Sequence, residues 1–376
     1  MTDLAIDDFK PATTVGRSLW GDAWARLKAN KAAMFSLFYL CFITILCVVG
    51  PYFVPHLYTT IYADYVRQAP STAPYPQADM IETALNDAVK RMRVDIKEWH
   101  QEGDDIFVTL SSEKKIDERN IRYLDRSNAF DGAKVDSTSA DGLEMTLSTR
   151  IKPKYFLFGT DNVGRDLLSR TLMAGRISLA IGLLAGFVAV SIGVVYGATA
   201  GFIGGKTDEI MMRIVDVLYS LPFIFFVIML VVFFGRNFVL MFIAVGAVLW
   251  LDMARIVRGQ ALSIRRQEYV QAAEAMGVST RGIVRRHVIP NLLGPVVIYM
   301  TLLVPQVILL ESFLSFLGLG VQEPMTSWGV LISDGAKNIG TANWLLLFPA
   351  FFLVSTLFAL NFIGDGLRDA LDPKDR

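Results

Sequence analysis

Apolar and polar positions in this chain segregate by whole segments. Six runs of roughly 20 residues are nearly free of charge, near positions 32–54, 177–202, 211–234, 238–257, 292–316 and 344–364. A helix needs about 20 residues to cross the hydrocarbon core of a bilayer. Backbone polar groups have no water there, so such runs must be helical to satisfy their hydrogen bonds. Between the first two runs the texture changes. Ile81, Leu85, Ala88, Val89 and Met92 recur at helical spacing within residues 78–92. Ile106–Leu110 and Leu143–Leu147 read as strands, and Val94–Trp99 followed by Glu102-Gly103-Asp104-Asp105 reads as a hairpin with the first of them. The pattern predicts an all-α integral membrane protein with six transmembrane helices and a small extracytoplasmic α+β insert. The expected division is a cytoplasmic N-terminal segment (1–31), a first transmembrane helix (32–54), the insert (55–155), a five-helix core (156–366) containing a cytoplasmic loop (258–291), and a cytoplasmic tail (367–376).

Composition agrees. The 376 residues are 53% hydrophobic, with a mean hydropathy of +0.43, which a soluble domain rarely carries. The net charge is zero, so no bulk attraction to nucleic acid follows. Positive charge sets the orientation. Lys10, Arg17, Arg26, Lys28 and Lys31 precede the first span, and Arg255, Arg258, Arg265, Arg266, Arg281, Arg285 and Arg286 crowd the loop between the fourth and fifth. An even number of spans then places both termini and this loop in the cytoplasm. The turn at 203–210 joins them there, while 235–237 and 317–343 face outward. Residues 20–31 can form an amphipathic helix on the membrane surface or serve as a plain positive anchor. No cleavable signal peptide is evident. Cys41 and Cys47 lie six apart on one helix and do not face each other, so both read as buried small apolar side chains. Gly182, Gly186, Gly193, Gly197 and Gly201 form one stripe on the second span, a surface another helix can approach closely, in this chain or in a second membrane subunit.

Candidate chemistry is sparse. Gly205-Lys206-Thr207 looks like the end of a phosphate-binding loop, but Ala200 stands where its first glycine belongs and a membrane span precedes it instead of a strand. No HExxH or CxxC pair occurs, and His56, His100 and His287 share no local motif. The chain is therefore expected to bind no cofactor or metal and to catalyse nothing. Acids in or near spans are Asp216, Asp252 and Glu311. An intramembrane acid costs about 3 kcal/mol on insertion scales, so it faces protein or water. Glu311, with Gln306 earlier in the same span, and Asp216 are candidates for a translocation path; for Glu311 the alternative is a helix-to-helix hydrogen bond. Asp252 beside Arg255 predicts a local ion pair.

The remaining signal is the stretch from Glu268 to Asn291, EYVQAAEAMGVSTRGIVRRHVIPN. Gln271, Ala272, Ala273, Glu274 and Ala275 favour helix, Gly277 breaks it, and Ser279 can cap a second short helix that should end before Pro290. The small side chains at Ala272, Ala273 and Ala275 predict a smooth ridge for another protein's groove. This stretch resembles the EAA loop of ABC-importer permeases, with Ala272, Ala273, Gly277 and Pro290 matching and Gln271 where the family usually has Glu. The resemblance implies that Glu268, Gln271, Ala272, Ala273, Glu274, Ala275, Gly277 and Pro290 belong to a loop seated on a separate ATPase.

Further stretches resemble the dipeptide, oligopeptide and nickel branch of that family. They are Gly159-Thr160-Asp161 through Gly164-Arg165-Asp166 to Ser169-Arg170, Trp250 to Gln260, Ser315 to Gly320 with Ser327-Trp328-Gly329, and Arg17-Ser18-Leu19-Trp20. The tail from Asn361 to Arg376 is similar to the oligopeptide permease C subunits. Within the first stretch, Asp166 and Arg170 are spaced to pair at i, i+4. The resemblance implies a multi-pass subunit of the bacterial inner membrane, one half of a permease heterodimer in the lipid bilayer. Its partners would be two cytoplasmic ATPases, which carry the ATP and Mg, and an extracytoplasmic peptide-binding protein. The implied function is ATP-driven oligopeptide import. Alternatives are dipeptide, nickel or other small-solute import, or a proton-coupled secondary transporter using the intramembrane acids. The insert has no counterpart of this length in the family; it contacts a binding protein or packs on the outer face.

Overall fold

The computed structural model describes residues 19–235 and 238–371. Lys10, Arg17 and Ser18, part of the turn at 235–237, and tail residues 372–376 lie outside the described residues.

Helix α1 (Leu19–Ala29) breaks at Asn30, whose side chain caps α2 (Lys31–Val49) by accepting the Ala33 N–H at 3.1 Å. Ala23 and Leu27 of α1 bury against Ala33 and against Ala370 near the C-terminal end of α13 (Trp344–Leu371). The amphipathic face of α1 is thus covered by the chain itself. Helix α2 shows one face to its surroundings, with Phe35, Phe38, Phe42 and Ile45 all exposed. Cys41 shares that face and is exposed, contrary to expectation, while Cys47 is buried.

The segment after α2 folds as α3 (Ala78–Met92), β1 (Asp95–Glu102), β2 (Asp105–Ser111), α4 (Arg122–Asp125), β3 (Phe130–Thr138) and β4 (Glu144–Ile151). The antiparallel sheet has the order β1-β2-β4-β3. Ile106, Val108 and Leu110 of β2 and Met145 and Leu147 of β4 point to one face, where they meet Ile81, Leu85, Val89 and Met92 of α3. An aromatic cluster of Tyr65, Tyr75 and Phe156, with Tyr62 at its edge, ties this unit to the approach to the next helix.

Helix α5 (Leu167–Ile203) starts ten residues before the apolar run that predicts it, because the charges that hide its first turns are neutralised locally. Arg176 donates from Nε to the Cys47 carbonyl at 2.8 Å and also reaches the Val48 carbonyl, satisfying the open C-terminal end of α2. Gly204 (φ +68°) alone separates α5 from α6 (Gly205–Ser220), so most of the expected turn at 203–210 is helix. The expected third span, 211–234, is not one helix. It breaks at Leu221-Pro222, and α7 (Phe223–Phe234) leaves at 84° to α6. Pro222 disfavours helical geometry at Leu221, which is extended (φ −75°, ψ 128°). Helix α8 (Phe238–Arg265) occupies the fourth expected position. Then come α9 (Glu268–Ala275), α10 (Thr280–Ile283), α11 (Ile289–Phe316), α12 (Trp328–Ala336), which lies in the stretch expected as an outer loop, and α13. Among the described residues, four helical stretches are long and apolar enough to span, and five if the bent pair α6–α7 counts as one.

The glycine stripe of α5 is used within the chain. Gly182 and Gly186 meet Val304 and Ile308 side chains of α11, and Gly193, Gly197 and Gly201 meet Met253 and the Ala254 and Arg258 backbone of α8. A side chain at Gly197 would run into the Ala254 carbonyl oxygen, whereas Gly259 of α8 faces open space. Gly197→Val should therefore lower apparent thermal stability in detergent by the equivalent of about 1–3 kcal/mol or more. Gly259→Ala should leave it equal or slightly raised. Fluorescence-detected size exclusion after heating measures both.

Candidate functional site

Helix α9 is a two-turn block between α8 and α10. Glu268 opens it, where a negative charge suits the helix dipole. Its end is set by Gly277 at φ +79°. The Gly277 N–H donates to the Glu274 carbonyl at 2.9 Å and the Val278 N–H to the Ala273 carbonyl at 3.1 Å, the paired bonds of a Schellman closure. Ser279 then caps α10, its hydroxyl accepting the Gly282 N–H at 3.3 Å.

The block has two faces. Val270 and Ala273 turn inward and join Ile283, Val288 and Leu292 in the same apolar core as α5 and α8. Gln271, Ala272, Glu274, Ala275, Met276 and Gly277 turn outward. Met276 is 76% exposed at the tip. The expected ridge is therefore revised: Ala272 and Ala275 lie on it, and Ala273, 3% exposed, is an anchor beneath it. Pro290 corrects a second expectation. The helix does not end before it; a π turn (Val284–Val288) carries α10 into α11, and Pro290 sits in the first turn of α11. Pro290 brings no N–H to this continuous helix, and the π turn, where the Ile289 N–H donates to the Val284 carbonyl, lies immediately before it.

Asp216, Gln306 and Glu311 do not converge. Asp216 on α6 pairs with Arg255 of α8 at 2.9 Å, so Arg255 is held by Asp216 and not by its near neighbour Asp252. Asp252 instead lines a cleft of about 400 Å³ with Tyr219, Leu221, Pro222 and Ala247 at the α6–α7 bend. Gln306 is exposed on α11, and Glu311, further along, is wholly buried. Ser315 and Ser327 each donate to Glu311 Oε1 at 2.6 Å. Ser327 also caps α12 by accepting the Val330 N–H. Next to it Trp328, fully buried, donates from its indole to the Thr171 carbonyl at 3.0 Å and from its backbone to the Ser178 hydroxyl at 3.1 Å. Glu311 is thus the knot that fastens α12 between α5 and α11. Gly329 permits it: a side chain there would strike Ser312 of α11.

A second clasp sits at the start of α5. Asp161 receives Arg165 Nε at 2.8 Å and Arg170 at 2.5 Å, and Arg165 also reaches Glu323 at 2.8 Å. Arg170 therefore pairs with Asp161 and not with Asp166. Asp166 is the N-cap of α5, accepting the Ser169 N–H at 2.7 Å. Burial pushes its carboxyl up to about 6.

Residues 193–376 match the family model described as binding-protein-dependent transport system inner membrane component. Residues 18–80 match the N-terminal TM domain of oligopeptide transport permease C. The oligopeptide transport system permease protein OppC of Haemophilus influenzae is 45% identical over 96% of this chain and 90% of its own. The chain belongs to the binding-protein-dependent transport permeases. OppC of Escherichia coli K12 is 64% identical over 58% of this chain and 72% of its own length, and the dipeptide transport system permease DppC of Bacillus subtilis 168 is 38% identical over 94% and 86%. Among solved structures, the inward-facing MetNI methionine ABC transporter covers 52% of this chain and 94% of its own at 20% identity, with a TM-score of 0.45, a likeness too weak to argue from.

The α9 block of this permease lies within the matched 193–376, while Asp161 and strands β1 to β4 lie in residues 81–192, outside both matches. Sequence reasoning missed the bidentate pair in which Arg258 of α8 holds Asp208 of α6 through two 2.6 Å bonds. Nothing local signals it, since the partners are 50 positions apart. The Asp161 clasp was within reach: two arginines follow one aspartate at i+4 and i+9.

Asp161→Asn should strand the buried Arg170 guanidinium, leave Arg165 only the exposed Glu323, and cost about 3–5 kcal/mol. Glu323→Gln removes a partner whose side chain is 67% exposed and should cost no more than about 1 kcal/mol. Apparent melting temperatures in one detergent rank the two.

Proposed function

We propose that this permease is the oligopeptide-translocating membrane subunit of an ATP-driven importer, one half of a heterodimer with a second permease. Two cytoplasmic ATPases supply the energy, bind the ATP and Mg, and dock on the α9 block, while an extracytoplasmic peptide-binding protein delivers cargo. This chain is non-catalytic and binds no cofactor of its own. Oligopeptide cargo is favoured over dipeptides, nickel or another small solute because the two OppC relatives are more alike to this chain than the DppC relative. The bacterial inner membrane is crossed six times, with α6–α7 as a broken third span and α8 as the fourth. Both termini and the loop 258–291 are cytoplasmic and the sheet unit is outside, as the arginines flanking α9 favour. Segments 1–31, 32–54, 55–155, 156–366 and 367–376 remain the working division.

The observation that carries this reading is the two-faced α9 block. Its inner face is continuous with the bundle core, so force on the block is felt by α8 and α11. Its outer face offers a small-residue ridge around Ala272 and Ala275, flanked by Gln271 and Glu274, with Met276 projecting as an apolar anchor. ATP-driven closure of the ATPases would move that block and switch the open side of the bundle, which requires the ATPases to grip one state more tightly than the other. A proton-driven carrier has no use for such a ridge, and Glu311, the acid best placed to serve it, is tied to serines of the same chain.

Ala272→Arg and Met276→Asp alter only exposed positions. Each should leave folding unchanged while reducing co-purification of the ATPases and peptide uptake at least about tenfold. Pull-down from mild detergent with mass spectrometry, paired with uptake in membrane vesicles, reads both. Normal ATPase recovery and uptake in both variants would reject the docking assignment. Ala273→Arg would disrupt the core and cannot make this distinction.

A further inference from the structure

ATPase docking at α9 gives no role to the bend between α6 and α7 or to the cleft of about 400 Å³ beside it. One wall of the cleft is the bend, from Tyr219 to Pro222 with Phe226, and the other is a face of α8 carrying Val248, Leu251 and Asp252. Asp252 is half-buried there and has neither a hydrogen bond nor an ion pair among the described residues. The next cation along α8, Arg255, is committed elsewhere: it donates to Asp216 at 2.9 Å and lies over the Tyr219 ring, 4.3 Å from its centroid. Two carboxylates thus stand against one guanidinium, and the negative charge left over sits on the cleft wall. An acid within a span that has no protein partner faces water or a ligand.

The bend supplies an independent observation. Pro222 has no N–H with which to continue α6, and the Leu221 N–H takes the Leu218 carbonyl at 3.3 Å instead. Leu221 is extended and α7 departs at 84°, so the carbonyls of Tyr219 and Ser220 end α6 with no further turn of that helix to donate to them. A helix C-terminus is electronegative, and both residues line the cleft. Unwound carbonyls at a broken span, together with a free carboxylate, favour a cation. The first N–H groups of α7, at the same bend, suit a carbonyl beside that cation. A small inorganic cation does not fit, because it takes about six oxygens and the remaining lining is apolar, with Leu218, Leu221, Phe226 and Leu251. The complement is an organic ammonium with a carbonyl and an apolar group next to it.

We propose that Asp252 and the last carbonyls of α6 receive the terminal ammonium of a peptide in transit, with its first side chain resting on Leu221, Phe226 and Val248. This contact presupposes the peptide import inferred above and gives it a specificity-determining residue, on the α6–α7 bend and not at Gln306 or Glu311. A lysine side chain and the ethanolamine headgroup of a lipid share the ammonium chemistry.

The test has two parts. The first is saturation-transfer NMR of the purified full chain in nanodiscs of phosphatidylcholine and phosphatidylglycerol, which carry no primary ammonium. The probes are trialanine amide, its N-acetyl form, and N-acetyl-alanyl-alanyl-lysine amide. Saturable binding of trialanine amide, tighter than either acetylated peptide, is expected. Asp252→Asn should weaken it about tenfold or more, and Asp252→Glu should preserve it. Phosphatidylethanolamine added to the nanodiscs should not displace the peptide. The second part is trialanine uptake by the complete importer in liposomes with the binding protein in excess, where Asp252→Asn should lower uptake about tenfold while the ATPases still co-purify. A wild type that imports no trialanine rejects the transport reading and leaves the ammonium site to be judged by the first part. The proposal is overturned if trialanine amide does not saturate, if the lysine peptide binds as well, if the lipid displaces the peptide, or if Asp252→Asn binds as the wild type does. It is equally overturned if the wild type imports trialanine and Asp252→Asn imports it at the same rate.

Discussion

The close approach of α5 to its neighbours is the constraint on which this membrane core depends. In lipid no hydrophobic force distinguishes a helix from an acyl chain, so helices associate by dense packing and by hydrogen bonding between them. Gly193, Gly197 and Gly201 bring the α5 backbone against the α8 backbone, and Gly182 and Gly186 let α11 settle on the same helix. Every other contact of the bundle is measured from that sandwich. The α9 block hangs from α8 and α11, and Trp328 is wedged against α5.

Apart from Asp252, the charged groups inside the bundle find partners within the chain, although Glu311 Oε2 and Arg170 Nε have none. Asp208 meets Arg258, Asp161 meets two arginines, and Glu311 meets two serines. An unpaired charge in such surroundings costs several kcal/mol, whereas a paired one chiefly fixes register. These contacts join helices that sequence separates: α6 to α8, the approach of α5 to the segment before α12, and α11 to α12. They hold the two ends of the bundle in one arrangement while exposed apolar residues, such as Phe35 and Phe38, remain interchangeable in kind.

Much of this was legible in the sequence. The helix at 78–92 and strands β2 and β4 follow from periodicity alone, because alternate residues enter one core. The turn at Gly277 and the cap at Ser279 follow from local chemistry. What stayed hidden depends on contacts at a distance. The early start of α5 is masked by Arg170 and Arg176, whose charges are spent on Asp161 and on α2 carbonyls. Strand β3, at the sheet edge, carries Gly132, Lys134 and Asp136 and so lacks the strand signal. The inward turn of Ala273 could not be read from a run of alanines that look alike, since only the packing of Val270 and Ile283 decides which side faces the bundle. The Asp216–Arg255 pair shows that the nearest opposite charge in sequence need not be the nearest in space.

The π turn at Val284–Val288 has a mechanical consequence. By absorbing one extra residue without a break, it fuses α10 and α11 into a single rod from Thr280 to Phe316. The rod is about 55 Å long at 1.5 Å per residue. One end abuts the α9 block, and near the other Glu311 grips Ser327 at the head of α12. Such a rod is a lever with no slack joint at the handle. A tilt of about ten degrees around its midpoint would move each end by roughly 5 Å. Pro295 and Pro305 lie along the shaft and mark where it can flex under load.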